Sequence, residues 1–155
     1  MGSKQVMDVD LRNILVAEDD PRDAELTLQA LREHHLANRV VVARDGVETL
    51  EYLRACAQAG ADPGMPAVLL LDIKMPRLDG IEVLARMRKD PKLKNLPVVM
   101  LTSSREGPDL QAAYDLGANA YVVKPVAFRE FVDAVKQIGG FWALFNEPAP
   151  LEPPS

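Results

Sequence analysis

Ile14-Leu15-Val16-Ala17-Glu18-Asp19-Asp20-Pro21 is the stretch from which the fold can be read. Four apolar residues are too few for a buried helix, and they stop abruptly at three acids. A short apolar run bounded by turn signals suits a strand buried on both faces. Asp20 and Pro21 then read as the cap and first-turn pair of a helix. A strand therefore passes into a helix through Glu18 and Asp19.

The same signature returns four times, as Val40-Val41-Val42-Ala43, Ala67-Val68-Leu69-Leu70-Leu71, Val98-Val99-Met100-Leu101 and Ala120-Tyr121-Val122-Val123. Each run is followed by a polar or charged residue. Between the runs, apolar residues recur at helical spacing: Ala24, Leu28 and Leu31; then Val47, Leu50 and Leu53. Ile81, Leu84, Met87 and Arg88 make a third set, opened by Asp79-Gly80. Leu110, Ala113, Tyr114 and Leu116 make a fourth, closed by Gly117. Phe128, Phe131, Val132, Val135 and Ile138 make a fifth. Strands alternating with helices mean βα units, hence a parallel sheet covered by helices on both faces. The right-handed crossover rule leaves few topologies, and the flavodoxin-like order 2-1-3-4-5 is the commonest for five strands. Ala59 to Gly64 reads as a loop before the third strand.

The chain has 155 residues, a length that suits one domain. Apolar residues are 48% and charged residues 26%, near the soluble globular average. No apolar run nears the 18 or so residues needed to span a bilayer, and the start lacks a secretory hydrophobic stretch. A single cysteine, Cys56, excludes a disulfide framework within the chain and a multi-cysteine zinc site. It also fits a reducing compartment. With 18 basic and 23 acidic residues the net charge is −5, which argues against a nucleic-acid-binding domain. The expectation is a soluble cytoplasmic domain.

Ligands of open α/β sheets bind beyond the carboxyl ends of the strands, near the switch in strand order. Glu18 and Asp19 end the first strand, Asp72 the third, Thr102 and Ser103 the fourth, and Lys124-Pro125 the fifth. In the order 2-1-3-4-5 the first and third strands are neighbours, so three carboxylates crowd together. Such a cluster needs either a shared proton or a divalent cation. Oxygen donors with room for water suit magnesium. Lys124 adds a compact charge for a phosphate oxygen and Thr102 a hydroxyl. An aspartate among these groups suits attack on a phosphoryl group, with an acyl phosphate on Asp72 as product. A lone acid at a strand end is most often a cap or a solvated loop residue, and Asp20 is read so. The whole ordered set is much harder to reach by accident.

On these residues the sequence resembles the receiver domain of two-component response regulators. The resemblance is carried by residues 14–21, by Leu71-Asp72-Ile73-Lys74-Met75-Pro76-Arg77-Leu78-Asp79-Gly80, by Leu101-Thr102-Ser103, by Gly117-Ala118-Asn119-Ala120-Tyr121 and by Val123-Lys124-Pro125. It runs from about Asn13 to Ile138 and implies a receiver domain over 13–140. It further implies that Asp72 accepts a phosphoryl group from a sensor histidine kinase. Asp19, Asp72 and the backbone carbonyl of Lys74 would bind Mg2+ directly, with Glu18 acting through water. Lys124 and Thr102 would hold phosphoryl oxygens, and the Lys124–Pro125 bond would be cis. Lys74 and Ser104 occupy positions that modulate phosphoryl lifetime in the family. The loop around 56–66, the 90–97 segment and Phe141-Trp142 also resemble the stand-alone receivers that serve bacterial phytochrome kinases. The chain would speed its own phosphorylation and turn over no separate substrate.

Two further expectations follow. Thr102 and Tyr121 are read as ending neighbouring strands, and phosphorylation would draw the Thr102 hydroxyl towards the phosphoryl group and let Tyr121 change rotamer, altering the surface of the fourth helix, fifth strand and fifth helix. Five of the eight aromatics lie beyond residue 125. A helix over about 126–139 runs roughly 21 Å, against about 17–20 Å for a strand. Phe141, Trp142, Leu144 and Phe145, in an extension over 141–147, therefore fall past the sheet edge and are expected to form a homodimer interface. Residues 1–12 and the Pro-rich stretch 148–155 read as tails. No DNA-binding module is expected after residue 145, so output would run through a partner, a change of oligomer or a drain of phosphoryl groups from a kinase, with protein–protein contact as the reading taken.

His34 and His35 read as solvated, Cys56 as a helix-face residue, and Met87 and Met100 as core. Two rival readings stand beside the main one: a degenerate receiver that binds partners without phosphorylation, and an aspartyl-phosphate phosphohydrolase. The latter commonly carries Asp-x-Asp, where this chain has Lys74.

Overall fold

In the computed structural model, which describes residues 13–32, 39–62, 64–103 and 108–138, each apolar run contains a strand. In chain order they are β1 (Ile14–Ala17), α1 (Pro21–Arg32), β2 (Val40–Ala43), α2 (Gly46–Cys56) and β3 (Val68–Asp72). α3 (Gly80–Lys89), β4 (Val98–Thr102), α4 (Pro108–Asp115), β5 (Ala120–Val123) and α5 (Phe128–Ile138) follow. The sheet has the expected order β2-β1-β3-β4-β5, and every pair is parallel. In register, Ala17 lies opposite Ala43 and Leu71, Asp72 opposite Leu101, and Thr102 opposite Val123. The carboxyl ends of neighbouring strands are thus level to within a residue, which is what lets distant polar residues meet.

The three inner strands are buried along their whole length, as strands covered on both faces must be. Alternation divides their side chains. Leu15, Leu69, Leu71, Val98 and Met100 pack with Leu50 and Leu53 of α2, Val83, Leu84 and Met87 of α3, and Ala113 of α4. Ile14, Val16, Leu70, Val99 and Leu101 pack with Leu31 of α1 and Phe131 of α5 on the other face. Phe131 is fully buried, and burying a side chain of that size contributes about 1.5–3 kcal/mol.

The starts of α1, α2 and α3 are set by acids. Asp20 accepts from the backbone N–H groups of Arg22 (2.8 Å) and Asp23 (3.2 Å). Asp45 caps α2, and Asp79 with Glu82 forms a reciprocal capping box on α3. Gly117 follows α4 at φ 86°, a left-handed conformation that favours glycine.

Three periodic positions depart from expectation. On α1 it is Thr27, not Leu28, that is fully packed inward. Tyr114 is 42% exposed. Arg88 turns its guanidinium onto backbone carbonyls, donating to those of Lys94 (2.7 Å), Gly117 (2.8 Å), Leu116 (3.0 Å) and Leu96 (3.1 Å). Burial pulls its pKa down. It ties α3 to the connections that lead into β4 and β5.

Residues 1–12, His34, His35, Ser104, Phe141, Trp142, Leu144, Phe145 and 148–155 lie outside the described residues. Among the described residues no helix is long and apolar enough to cross a membrane.

Candidate functional site

Strand alternation sorts the polar residues at the sheet's carboxyl edge. Glu18 follows Val16, Asp72 follows Leu70 and Lys124 follows Val122 at a spacing of two, so all three belong to the α1/α5 face. Thr102 follows Met100 and belongs to the α2–α4 face. The ladder continues just past β1 and β5, through Glu18 N to the Ala43 carbonyl (2.9 Å) and Lys124 N to the Thr102 carbonyl (2.8 Å). Glu18 and Lys124 are therefore held by backbone bonds rather than by loop chance.

Lys124 Nζ donates to Glu18 Oε1 (3.1 Å), Asp72 Oδ2 (3.1 Å) and Asp23 Oδ2 (3.0 Å). Burial alone would lower the lysine's pKa. The hydrogen bond to Asp23, the charge of Asp72, and Glu18 outweigh that effect and raise it. Glu18 is fully buried. Its pKa is raised from 4.5 to about 7, first by burial and then by the hydrogen bond and charge of Asp72, against the opposing pull of Lys124. One ammonium does not fully compensate this acidic cluster.

Glu18, Asp19 and Asp72 each place a carboxylate oxygen within 4.8 Å of the others. Asp19, the exposed member, borders an open cavity of about 410 Å3 with Lys74, Met75, Pro76 and Asp79. An all-oxygen set of hard donors, uncompensated in charge and open to water on one side, fits a magnesium-type cation.

The β3–α3 connection is braced against its neighbours. Gly80 starts α3 so close to β3 that a Cβ would stand 2.3 Å from the Asp72 carbonyl oxygen. Arg77 sits at φ 71°, unusual for a non-glycine residue, and its guanidinium meets Asp45 Oδ2 at 3.1 Å. A Cβ on Gly46 would stand 2.2 Å from the Leu78 carbonyl oxygen, so this loop is seated on the start of α2. The Lys74 ammonium leans across the rim to Asp109 of α4 at 3.2 Å, with the lysine largely in solvent and the aspartate about half exposed.

Thr102 is buried at the end of β4. Tyr121 lies inside β5 rather than at its end, the position expected from the sequence. It pairs with Met100, two positions before the Thr102–Val123 pair. Both residues still belong to the α2–α4 face, and Tyr121 meets Tyr114 edge-on at 6.0 Å. The Lys124–Pro125 peptide is cis, as expected.

Sequence reasoning missed Asp23. Only its place in the first turn of α1, the helix that follows the acidic turn, could have signalled it.

A family model for the response regulator receiver domain matches residues 14–136. The chain belongs to that family. The receiver is 54% identical to the bacteriophytochrome response regulator AtBRR, whose structure matches with a TM-score of 0.78 over 90% of this chain and 100% of that one. It is 33% identical over 129 residues to the response regulator Rcp1 of Synechocystis, covering 83% of this chain and 87% of Rcp1. The Mn2+-bound form of Rcp1 matches at 32% identity with a TM-score of 0.66, over 90% of this chain and 99% of that one. The phosphorylated cyanobacterial phytochrome response regulator RcpA matches at 37% identity with a TM-score of 0.67, over 84% and 93%. The receiver is thus homologous to phytochrome response regulators of two-component systems. Receiver domains bind Mg2+ at an acidic pocket, and Glu18, Asp19 and Asp72 form such a cluster here.

Proposed function

We propose that this receiver accepts a phosphoryl group on Asp72 from a sensor histidine kinase of the phytochrome class, in the cytoplasm, and signals by protein–protein contact. A carboxylate oxygen of Asp72 attacks phosphorus; the O–P bond forms as the P–N bond to the kinase imidazole breaks. Asp19, Asp72 and the Lys74 carbonyl are the groups that would hold Mg2+, with Glu18 acting through water. The cation supplies charge neutralisation for the phosphoryl oxygens. Lys124 and Thr102, which belong to opposite faces of the sheet, would hold those oxygens. The observation that carries the reading is the single ammonium of Lys124 shared by Glu18 and Asp72 beside Asp19.

The relatives support the partner: AtBRR is by name a bacteriophytochrome response regulator. Exposure of the full chain to acetyl phosphate with Mg2+ tests the chemistry. The wild type should gain the mass of one phosphoryl group and Asp72→Asn should not. An unmodified wild type would favour a phosphorylation-independent module, and repeated turnover of simple phosphate esters would favour a hydrolase.

Signalling runs through Thr102 and Tyr121. Their common face lets the ring shift when the hydroxyl moves, so an unmoved Tyr121 ring on addition of beryllofluoride refutes the switch. The segment Phe141, Trp142, Leu144 and Phe145 makes a homodimer; sedimentation of a chain ending at Gly140 should lose the dimer mass, and an unchanged mass refutes it.

A further inference from the structure

Asp23 is the one acceptor on the Lys124 ammonium that the reading above leaves without work. An ammonium has three N–H bonds, and its three acceptors here are the carboxylates of Glu18, Asp23 and Asp72. Lys124 therefore has no donor to spare for a phosphoryl oxygen, and one acceptor must yield before it can bind one. The three are unequal. The Glu18 side chain is wholly inside, at 0% exposure, and has no water to turn to. Asp72 is the group that would be modified, and it is 4% exposed. Asp23 is 33% exposed and stands in the first turn of α1, where water and the helix dipole both favour a freed carboxylate.

We propose that Asp23 is a positioning residue for Lys124: it holds the ammonium between Glu18 and Asp72 in the unmodified receiver and is the acceptor given up when a phosphoryl group arrives. This rests on the reading of Asp72 as the acceptor. Asp23 therefore competes with the phosphoryl group for one cation. Its charge favours the unmodified state, and its release couples occupancy of Asp72 to the first turn of α1. Weakening Asp23 should make the modified state easier to reach.

The test is calorimetric titration of the full chain with beryllofluoride in saturating Mg2+. It compares wild type, Asp23→Asn and, as a control for net charge, Glu25→Gln on the exposed side of the same helix. Asp23→Asn should bind about fivefold more tightly, the scale of a partly exposed ion pair. Glu25→Gln should stay within about twofold of wild type. The 15N resonance of the Lys124 ammonium, read without beryllofluoride, should move in Asp23→Asn and stay in place in Glu25→Gln; a purely structural role for Asp23 would leave it in place in both. Unchanged or weaker binding by Asp23→Asn, with wild type binding normally, overturns the role of Asp23 alone. A wild type that takes up no beryllofluoride overturns the reading of Asp72 and this proposal with it.

Discussion

Binding of Mg2+ should expel a proton from Glu18. The carboxyl is fully buried and its pKa stands at about 7 in the metal-free protein. At pH 6 it is then about nine-tenths protonated and at pH 8 about one-tenth. A cation that needs the carboxylate, directly or through water, should release about 0.9 proton on binding at pH 6 and about 0.1 at pH 8. The affinity should be nearly flat above pH 8 and about tenfold weaker at pH 6. Calorimetry in two buffers of different ionisation enthalpy counts the protons directly. Glu18→Gln should abolish the release. Less than about 0.3 proton at pH 6 would refute the argument that burial and Asp72 hold this proton in place.

The same shift has a consequence for stability. The folded pKa of about 7 lies above the ordinary 4.5, so the unfolded chain sheds this proton first as pH rises. The metal-free receiver should therefore lose stability between pH 4.5 and 7, on the order of 3 kcal/mol from this group. Mg2+ should offset the loss above pH 7.

Three substitutions probe the frame around the site. Gly80→Ala forces a Cβ to 2.3 Å from the Asp72 carbonyl oxygen and 2.9 Å from Ile73 Cα, and backbone cannot step aside cheaply. Urea unfolding should show a loss of about 1–3 kcal/mol together with weaker Mg2+ affinity, whereas a loss below about 0.5 kcal/mol would contradict the close approach. Arg88→Ala strips four carbonyls of their donor and should cost about 2 kcal/mol in the same assay, with Mg2+ affinity unchanged. Asp20→Ala removes the cap of α1 and should cost about 1 kcal/mol, while Asp20→Asn should be close to neutral.

Much of this protein is visible in its linear order because the fold is made of local signals. Four or five apolar residues followed by an acid can be buried on both faces only as a strand, and the helical spacing between them leaves one class of architecture. The acids at the ends of β1 and β3 are site candidates on that basis alone, since parallel strands place all their carboxyl ends at one edge. Caps such as Asp20, Asp45 and Asp79 are equally local, each bonding its own first turn.

What the sequence hid is pairwise and distant. Asp23 reads as one more acid in a helix's first turn, and only the packing of α1 over the sheet carries it to Lys124, 101 residues away. Arg88 looks like part of an apolar stripe until the 90–97 and 116–117 connections bring carbonyls to its guanidinium. Tyr121 has the right face but not the expected position, because strand register depends on which residues pair across the sheet. Local propensity and periodicity determine which segments are strands and helices and which acids end them. Charge sharing at the Lys124 ammonium, and the rise in the Glu18 pKa that burial and Asp72 produce against it, arise only when packing removes those groups from water and brings them into contact.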